Sequence, residues 1–437
     1  MQKIIVAGAG HGGLTAAAKL AAAGFEVTVI EKSKRELLGH DWEDRFDFSL
    51  LSEIISTKVE DFSPESWRYR GDCAFLSPAK RKKIDIFYDE SNRQKVMWRR
   101  PLINMLLDNA IKSGVNLIFD KEIDGPVVEN GKVKGVTAGG EVYAADLVID
   151  SAGAFSSVKM NLPDSFGIEK EITRGDLFYG WRAYFNKTDD VSPKTPFEVY
   201  LYHEGEQGLS WCCTNESSVD ILIGRIDKFG QEKIDEQMAI FRQDHPWIGD
   251  EILNGGQYGI IPVRKPLTLM AADGYAAIGD SAFMTMPMNG MGIDLSLKAG
   301  LILADEVIKN AGKEFTADVL WSYNRRYHIE CGAFASKNDG LKNAILSIPS
   351  VGVDFLFEND VIQASDLAGA GGNMNFGALL GKFARGMKNP KYFFAIINGL
   401  IKGSGASKLY ANPPEKYDFN KIKAWSDKIE SKRVKII

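Results

Sequence analysis

The first thirty-one residues constrain this chain more than any other stretch. Lys3-Ile4-Ile5-Val6-Ala7 predicts a short buried strand. Gly8-Ala9-Gly10-His11-Gly12-Gly13 follows directly. Leu14 to Ala23 predicts an alanine-rich helix that Gly24 ends, and Phe25 to Ile30 predicts a second strand closed by Glu31. Each part has a physical job. Gly8 allows a tight turn, Gly10 lets backbone approach a pyrophosphate, and Gly13 lets the helix pack on the strand, with Gly12 completing the run. The helix start offers free N–H groups and partial positive charge to phosphates. Glu31 stands where an adenosine ribose would donate hydrogen bonds. Strand, turn, helix, strand and acid in this order predict an α/β fold around a dinucleotide crevice.

Bulk properties agree and exclude several classes. A chain of 437 residues divides into two or three domains. With 45% hydrophobic and 25% charged residues it reads as a globular protein. A net charge of -5 supplies no global basic field, which argues against nucleic acid as a partner. Cys73, Cys212, Cys213 and Cys331 form no CxxC pair, so neither a metal site nor a dithiol motif is expected. Cys212 and Cys213 read as buried small residues. A reducing cytoplasm fits this cysteine usage. The N-terminus does not read as a signal peptide. No apolar run reaches the roughly 18 residues of a spanning helix.

Later segments carry a family resemblance. Val142 to Lys159, with Asp150 and Gly153, looks like the strand and turn that follow the β-meander of flavoprotein hydroxylases and reductases, although Ala152-Gly153 stands where Asp-Gly is usual. Gly274-Tyr275-Ala276-Ala277-Ile278-Gly279-Asp280 resembles the strand-Gly-Asp motif whose aspartate binds the ribityl chain of FAD. Pro287 to Asp294 follows at the family spacing. The resemblance puts a helix start at Gly292 and Ile293 against the flavin pyrimidine, where its dipole favours the anionic reduced ring. Arg99 to Leu106 is similar to the Arg-x-x-Leu-x-x-x-Leu helix, which makes Arg99 a cofactor contact, and Lys121-Glu122-Ile123 sits where a backbone group meets the adenine, with Ile123 the candidate. Asp280 alone reads as readily as a helix cap, and Arg99 as a solvated charge. Together with the fingerprint, these segments look like the hydroxylase-type branch of FAD proteins.

Within that branch the chain resembles geranylgeranyl reductases and their FixC-like relatives. Gly208 to Cys213, followed by Val219 to Gly224, is similar to their substrate segment through Trp211, and a helical tail follows the flavin domain as it does there. The cysteine those enzymes often carry beyond the ribose-binding acid is absent; Gly39-His40-Asp41-Trp42-Glu43-Asp44 stands in its place. His40 there is a proton-relay candidate or an ordinary loop histidine, and Trp211 a substrate-pocket floor or a core aromatic.

The resemblance implies a Rossmann-like FAD-binding domain (1–65, 98–160 and 265–335), an inserted β-sheet substrate domain (66–97 and 161–264) and a C-terminal helical region (336–437). In the inserted part, Leu177 to Phe185, Phe197 to His203 and Val219 to Ile226 predict strands, and Ile234 to Arg242 a helix. Gly369-Ala370-Gly371-Gly372-Asn373 reads as a loop. Leu367 to Pro414 contains no Asp or Glu, but has Lys382, Arg385, Lys388, Lys391, Lys402 and Lys408 among aromatic and aliphatic runs. Such a surface suits peripheral contact with the inner face of a membrane, or packs on the flavin domain. The leading expectation is an FAD-dependent oxidoreductase that saturates a carbon–carbon double bond of a hydrophobic, isoprenoid-like molecule. The alternatives are a flavin monooxygenase or dehydrogenase on a small aromatic or polyketide-like molecule, and a flavin electron-transfer partner in a redox complex. The electron donor, a nicotinamide or a redox protein, and the catalytic groups are left open by the sequence.

Overall fold

The computed structural model describes residues 1–90, 93–368 and 382–436. The opening motif forms β1 (Lys3–Ala7), α1 (His11–Ala22) and β2 (Glu26–Ile30). The helix begins at His11 rather than Leu14, because Gly10 with extended backbone serves as its cap. Ile4, Ile5 and Val6 are buried, and Ile5 pairs in parallel with Thr28 on one side and Val148 on the other. The six-stranded sheet holding β1 runs in the order Ala271–Ala272, Tyr275–Ala277, Leu147–Asp150, β1, β2, Asn116–Ile118. Chain order reverses across β1, so the Gly8–Gly10 turn leaves the sheet at the switch point between β1 and Leu147–Asp150. That is where α/β sheets open a ligand crevice.

Small side chains close the layer above it. α1 crosses the helix that starts at Ile293 (Ile293–Lys309) at Gly12 and Gly300. A Cβ on Gly300 would overlap the Gly12 carbonyl and press on Thr15. The Gly12 N–H donates to Ser296 Oγ at 3.1 Å. The two helices can sit this close only while both positions lack a side chain.

A seven-stranded sheet forms the second body. Its order is Ile248–Pro262, Leu177–Lys187, Ser218–Arg225, Gly208–Thr214, Phe197–Leu201, Cys73–Leu76, Lys83–Ile86. Alternation along the strands splits its residues between two faces. Trp181, Phe185, Ile221 and Ile223 pack with Ile234, Met238 and Phe241 of the helix Gln231–Asp244. Arg182, Tyr184, Trp211, Cys213, Asp220 and Leu222 share the opposite face, which looks toward the nucleotide crevice. A three-stranded antiparallel sheet, Glu43–Arg45, Lys95–Trp98 and Trp67–Tyr69, bridges the two bodies.

The C-terminal region is helical. Ala333–Leu346 packs on Pro390–Tyr410 through Gly340, Gly399 and Gly403, and Val353, Leu356, Phe393 and Ile396 join the seven-stranded sheet in one apolar cluster. Ion pairs with one buried partner each tie the tail down: Arg433 with Asp176, and Lys265 with Glu430. The acid-free basic stretch is therefore not one continuous surface. Lys382 is buried against Asp366, and Phe393 and Ile396 point into the core. Phe383, Met387, Phe394 and Ile401 remain exposed. The glycine loop 369–373 and Phe376 lie outside the described residues.

Gly300→Ala should lower the stability of the protein by about 1–3 kcal/mol through overpacking, although alanine is worth ~1 kcal/mol more than glycine in a free helix. Gly230→Ala, whose Cβ would meet nothing within 4 Å, is the control; at the cap of the helix Gln231–Asp244 it should cost under about 1 kcal/mol. Denaturant unfolding of both variants checks this; equal stabilities would show that the crossing tolerates a methyl group.

Candidate active site

Starting at the adenosine end, Glu31 is buried at the end of β2. Its Oε2 accepts from the Ala9 N–H at 2.8 Å and its Oε1 from the Ser33 N–H at 2.8 Å. The Lys121 N–H donates to the Glu31 carbonyl at 3.0 Å, and the Ile123 carbonyl accepts from Ser157 Oγ. Sequence-distant segments thus meet around one acid. Gly8, Gly10 and Gly13 lie against the end of Leu147–Asp150. A Cβ on Gly10 would come within 2.5 Å of Ser151 Oγ, and one on Gly13 within 2.7 Å of it and 3.0 Å of Val6. Gly10 is therefore required by protein packing as well as by any phosphate, while Gly13 lets helix approach strand.

The middle of the crevice is floored by Asp280. Its surface is open, yet protein groups surround it, as on the floor of a deep cleft. Burial pushes its carboxyl above the ordinary range, against the hydrogen bond from Thr285 Oγ1 and the charge of Arg99. Behind it, Lys159 Nζ donates to the Ser281 carbonyl at 2.8 Å and lies 4.1 Å from the Phe283 ring centroid. Lys159 is fully buried, and burial pulls its ammonium down to about 8.

The far end holds a charge cluster assembled from four segments. Arg99 grips Asp44 with two bonds, Nε to Oδ2 at 2.6 Å and Nη2 to Oδ1 at 2.8 Å. Burial works to raise the Asp44 carboxyl, but Arg99 holds it below the usual carboxylate range. Arg182 forms a second fork on Asp220, at 2.8 and 2.7 Å, and its Nη1 donates to the Glu43 carbonyl at 2.7 Å. Trp42 is buried beneath Arg99 and rests on Gly259, where a Cβ would collide with its ring. Gly292 and Ile293 start the long helix beside this cluster, linked to it by the Asp47 N–H, which donates to Asp294 Oδ1 at 2.7 Å.

Two imidazoles are here: His40, which the sequence left undecided, and His11, which it did not single out. His40 Nε2 is 3.1 Å from the Tyr258 carbonyl and Nδ1 is 3.4 Å from Arg99 Nη1, which defines a neutral ring donating from Nε2. Burial, then Arg99, lowers its pKa. His11, the variable residue of the glycine turn, is surrounded by protein, and its Nε2 has no partner among the described residues. Burial and Arg99 bring it to about 4, so it too is neutral at neutral pH. Asp44, Arg182 and Lys159 carry no motif of their own. Only the acid-rich run Glu43-Asp44 signalled the first.

Trp211 stands on the sheet face shared with Arg182, whose guanidinium lies 5.0 Å from its ring centroid. Phe197 meets it edge-on at 5.7 Å. Cys213 shares the face; burial pushes its thiol up to about 11, so it stays protonated. Among the described residues no group of acids, histidines and cysteines could hold a metal ion.

The cleft fits an extended dinucleotide. A helix start meets the crevice at its middle, the acids Glu31 and Asp280 line it, and His11 Nε2 is buried there without a partner among the described residues. Glu31, the glycine turn, Asp280 and the Gly292–Ile293 helix start are the residues that would hold FAD. Fold and site define the class: the chain is an FAD-dependent oxidoreductase. Residues 6–44 match the family model of an NAD(P)-binding Rossmann-like domain. The chain is 26% identical to the digeranylgeranylglycerophospholipid reductase of Haloferax volcanii, over 74% of this chain and 81% of that protein. It is 26% identical to the FixC protein of Escherichia coli, over 75% and 81%. Its fold matches a geranylgeranyl bacteriochlorophyll reductase-like protein of Thermoplasma acidophilum with a TM-score of 0.72, 18% identity, and 91% and 99% coverage. Within its class the chain resembles the geranylgeranyl reductase and FixC-like proteins.

Lys159 gives this site a pH signature. Between its folded value of about 8 and the ordinary 10.5, the unfolded chain holds a proton that the folded chain has released. Stability contributed at this position therefore rises with pH through that window. The stability difference between wild type and Lys159→Met should grow in favour of wild type as pH rises through it. Urea unfolding across the window reads this out, and a difference independent of pH would refute it.

Proposed function

We propose that this protein reduces a carbon–carbon double bond in a hydrophobic, isoprenoid-like substrate. The observation that carries the reading is the apolar cluster where the substrate sheet meets the tail helices. Trp211, Leu222, Ile261 and Met288 belong to one cluster with the tail helices, through Ile345, Tyr392 and Ile397. A wall of this composition favours a long hydrocarbon and offers few hydrogen bonds to a polar aromatic. The Haloferax relative is named for a reductase of a geranylgeranyl lipid, which agrees. FAD, when bound, supplies the redox chemistry. The chain's own residues supply the rest. Trp42 over Gly259 and Trp211 against Phe197 give the cleft bulky apolar surface that would exclude water. The Arg182–Asp220 fork holds the substrate sheet to the Glu43 backbone. The Ile293–Lys309 helix start places partial positive charge where the reduced ring would be anionic.

Anaerobic incubation of dithionite-reduced, FAD-loaded protein with a prenyl lipid tests this. The expected result is reoxidation of the flavin with a gain of two hydrogens per saturated double bond, seen by mass spectrometry. Trp211→Ala should raise KM more than it lowers kcat. Oxygen-dependent hydroxylation of small aromatics, with no anaerobic turnover of prenyl lipids, would overturn the reading.

We also propose that the tail meets a membrane surface peripherally. Among the described residues no helix is long and apolar enough to cross a membrane. Exposed Phe383, Met387, Phe394 and Ile401 lie on tail segments that also carry Lys388 and Lys391, and Phe383 and Phe394 flank the same buried ring of Phe393. Aromatic and aliphatic groups beside lysines suit an anionic interface, and each lysine adds roughly 1 kcal/mol there. Sedimentation with anionic liposomes should show binding that weakens with salt and is lost in Phe383→Ser/Phe394→Ser. No sedimentation at low salt would refute it.

A further inference from the structure

Around one end of the small bridging sheet, several cations have no acid to neutralise them. The side chains of Arg45, Arg70, Arg93 and Lys95 make no ion pair and no hydrogen bond among the described residues. Arg70, Arg93 and Lys95 lie over aromatic rings instead. The Arg70 guanidinium is 4.4 Å from the Phe197 centroid, Lys95 Nζ is 5.1 Å from Trp67, and Arg93 is 6.0 Å from Tyr69. Arg70 Nε is buried without a partner. Arg45 is half-buried; burial and the like charge of Arg70 act to lower its pKa, while Tyr88 and Asp294 act the other way. Elsewhere in the crevice the arginines are forked onto acids, as Arg99 and Arg182 are.

Arg45, Arg93 and Lys95 line one open cavity of about 430 Å³. Its two acids do not cancel them. The Asp47 carboxylate is engaged by Ser49 as the cap of the helix Phe48–Ile55, and Glu60 is exposed at the rim. At its inner end the cavity reaches Asp47, whose N–H bonds Asp294 in the first turn of the Ile293–Lys309 helix. It thus opens beside the end of the crevice assigned above to the flavin ring. Unpaired cations that repel one another are costly in the free protein, and an anion removes that cost. Guanidinium and ammonium groups over aromatic faces also suit a phosphate joined to a flat or apolar body.

We propose that this cavity is a phosphate subsite, in which Arg45, Arg93 and Lys95 hold the phosphoryl group of a ligand whose reacting part lies at the helix start. The phosphoryl group has two chemical sources: the head of a prenyl substrate, an assignment that rests on the function proposed above, or the phosphates of a nicotinamide dinucleotide donor.

The test uses the full-length, FAD-loaded protein. Inorganic pyrophosphate should bind in calorimetry at fixed ionic strength, and Arg45→Gln/Lys95→Gln should weaken it by about ten-fold or more. Flavin content of the variant should match wild type, because neither side chain has an ion pair or hydrogen bond to lose, and the melting temperature should fall only slightly, with the loss of the Lys95 contact to Trp67. In the substrate arm, wild type should prefer a prenyl diphosphate to the prenyl alcohol, and the variant should lose that preference. In the donor arm, the variant should raise KM for NADPH while leaving that preference unchanged. A response in either arm supports the subsite and names its source. Pyrophosphate binding that persists while no prenyl compound is turned over also supports the subsite, and counts against the proposed reaction alone. The proposal is overturned if wild type binds no pyrophosphate, or if the variant binds it equally well.

Discussion

The segment Asp41–Arg45 holds the two halves of this molecule in register, and it does so with charge. Asp44 is forked by Arg99 of the nucleotide-binding half, while the neighbouring Glu43 carbonyl is held by Arg182 of the substrate sheet. Arg68 closes on the Glu43 carboxylate at 2.7 Å, and the Glu43 N–H donates to the Tyr184 hydroxyl at 2.8 Å. Hydrophobic contact alone would let the sheet slide over the crevice. Forked guanidinium bonds are directional, and a buried fork that loses one partner costs about 3–5 kcal/mol. The Arg182–Asp220 pair is almost fully buried, so it has that character. Arg99–Asp44 is about a fifth exposed and tolerates loss better.

Pairing also sets the protonation state of the crevice. Arg99 and Arg182 answer to Asp44 and Asp220, and the imidazoles of His11 and His40 are pushed to their uncharged form by burial and by Arg99. A neutral His40 does not hold a spare proton at neutral pH, which counts against the relay its position suggested. The remaining positive potential comes from helix starts, which cannot be titrated away. That arrangement suits stabilising charge on a redox ring more than shuttling protons by side chains.

The sequence made the nucleotide half legible because its signals are local. β1, the glycine turn and β2 each follow from a few adjacent residues, and strand ends fell within a residue or two. The strands Leu177–Lys187 and Ser218–Arg225 were equally readable from their apolar runs. What escaped was pairing between distant positions. Nothing near Gly12 says that it faces Gly300, and nothing near Trp42 says that Gly259 makes room for it. Asp44 and Asp220 look like surface acids until their arginines arrive from 55 and 38 residues away. The basic tail misled for the same reason. Composition counted Lys382 with its neighbours, but Asp366, just outside the acid-free stretch, meets it.

The same logic separates structural charge from functional charge. A buried or half-buried cation costs desolvation wherever it sits, and folding normally offsets that cost with an acid. Arg182, Arg264 and Lys382 obey this: each meets a carboxylate. Arg45 and Arg70 do not, although Glu43, Asp44 and Asp220 lie close enough in the chain or the sheet to have been recruited. Those acids are taken by Arg68, Arg99 and Arg182. The cluster is therefore not short of acids by accident of composition, since the chain carries 58 acids against 53 bases. Its excess positive charge is local and sits at the mouth of the crevice, where an incoming anion would meet it first. Long-range attraction at such a mouth raises the encounter rate of a charged ligand. Behind it, Arg99 and Arg182 are already committed to Asp44 and Asp220 and have no free fork to offer a second anion.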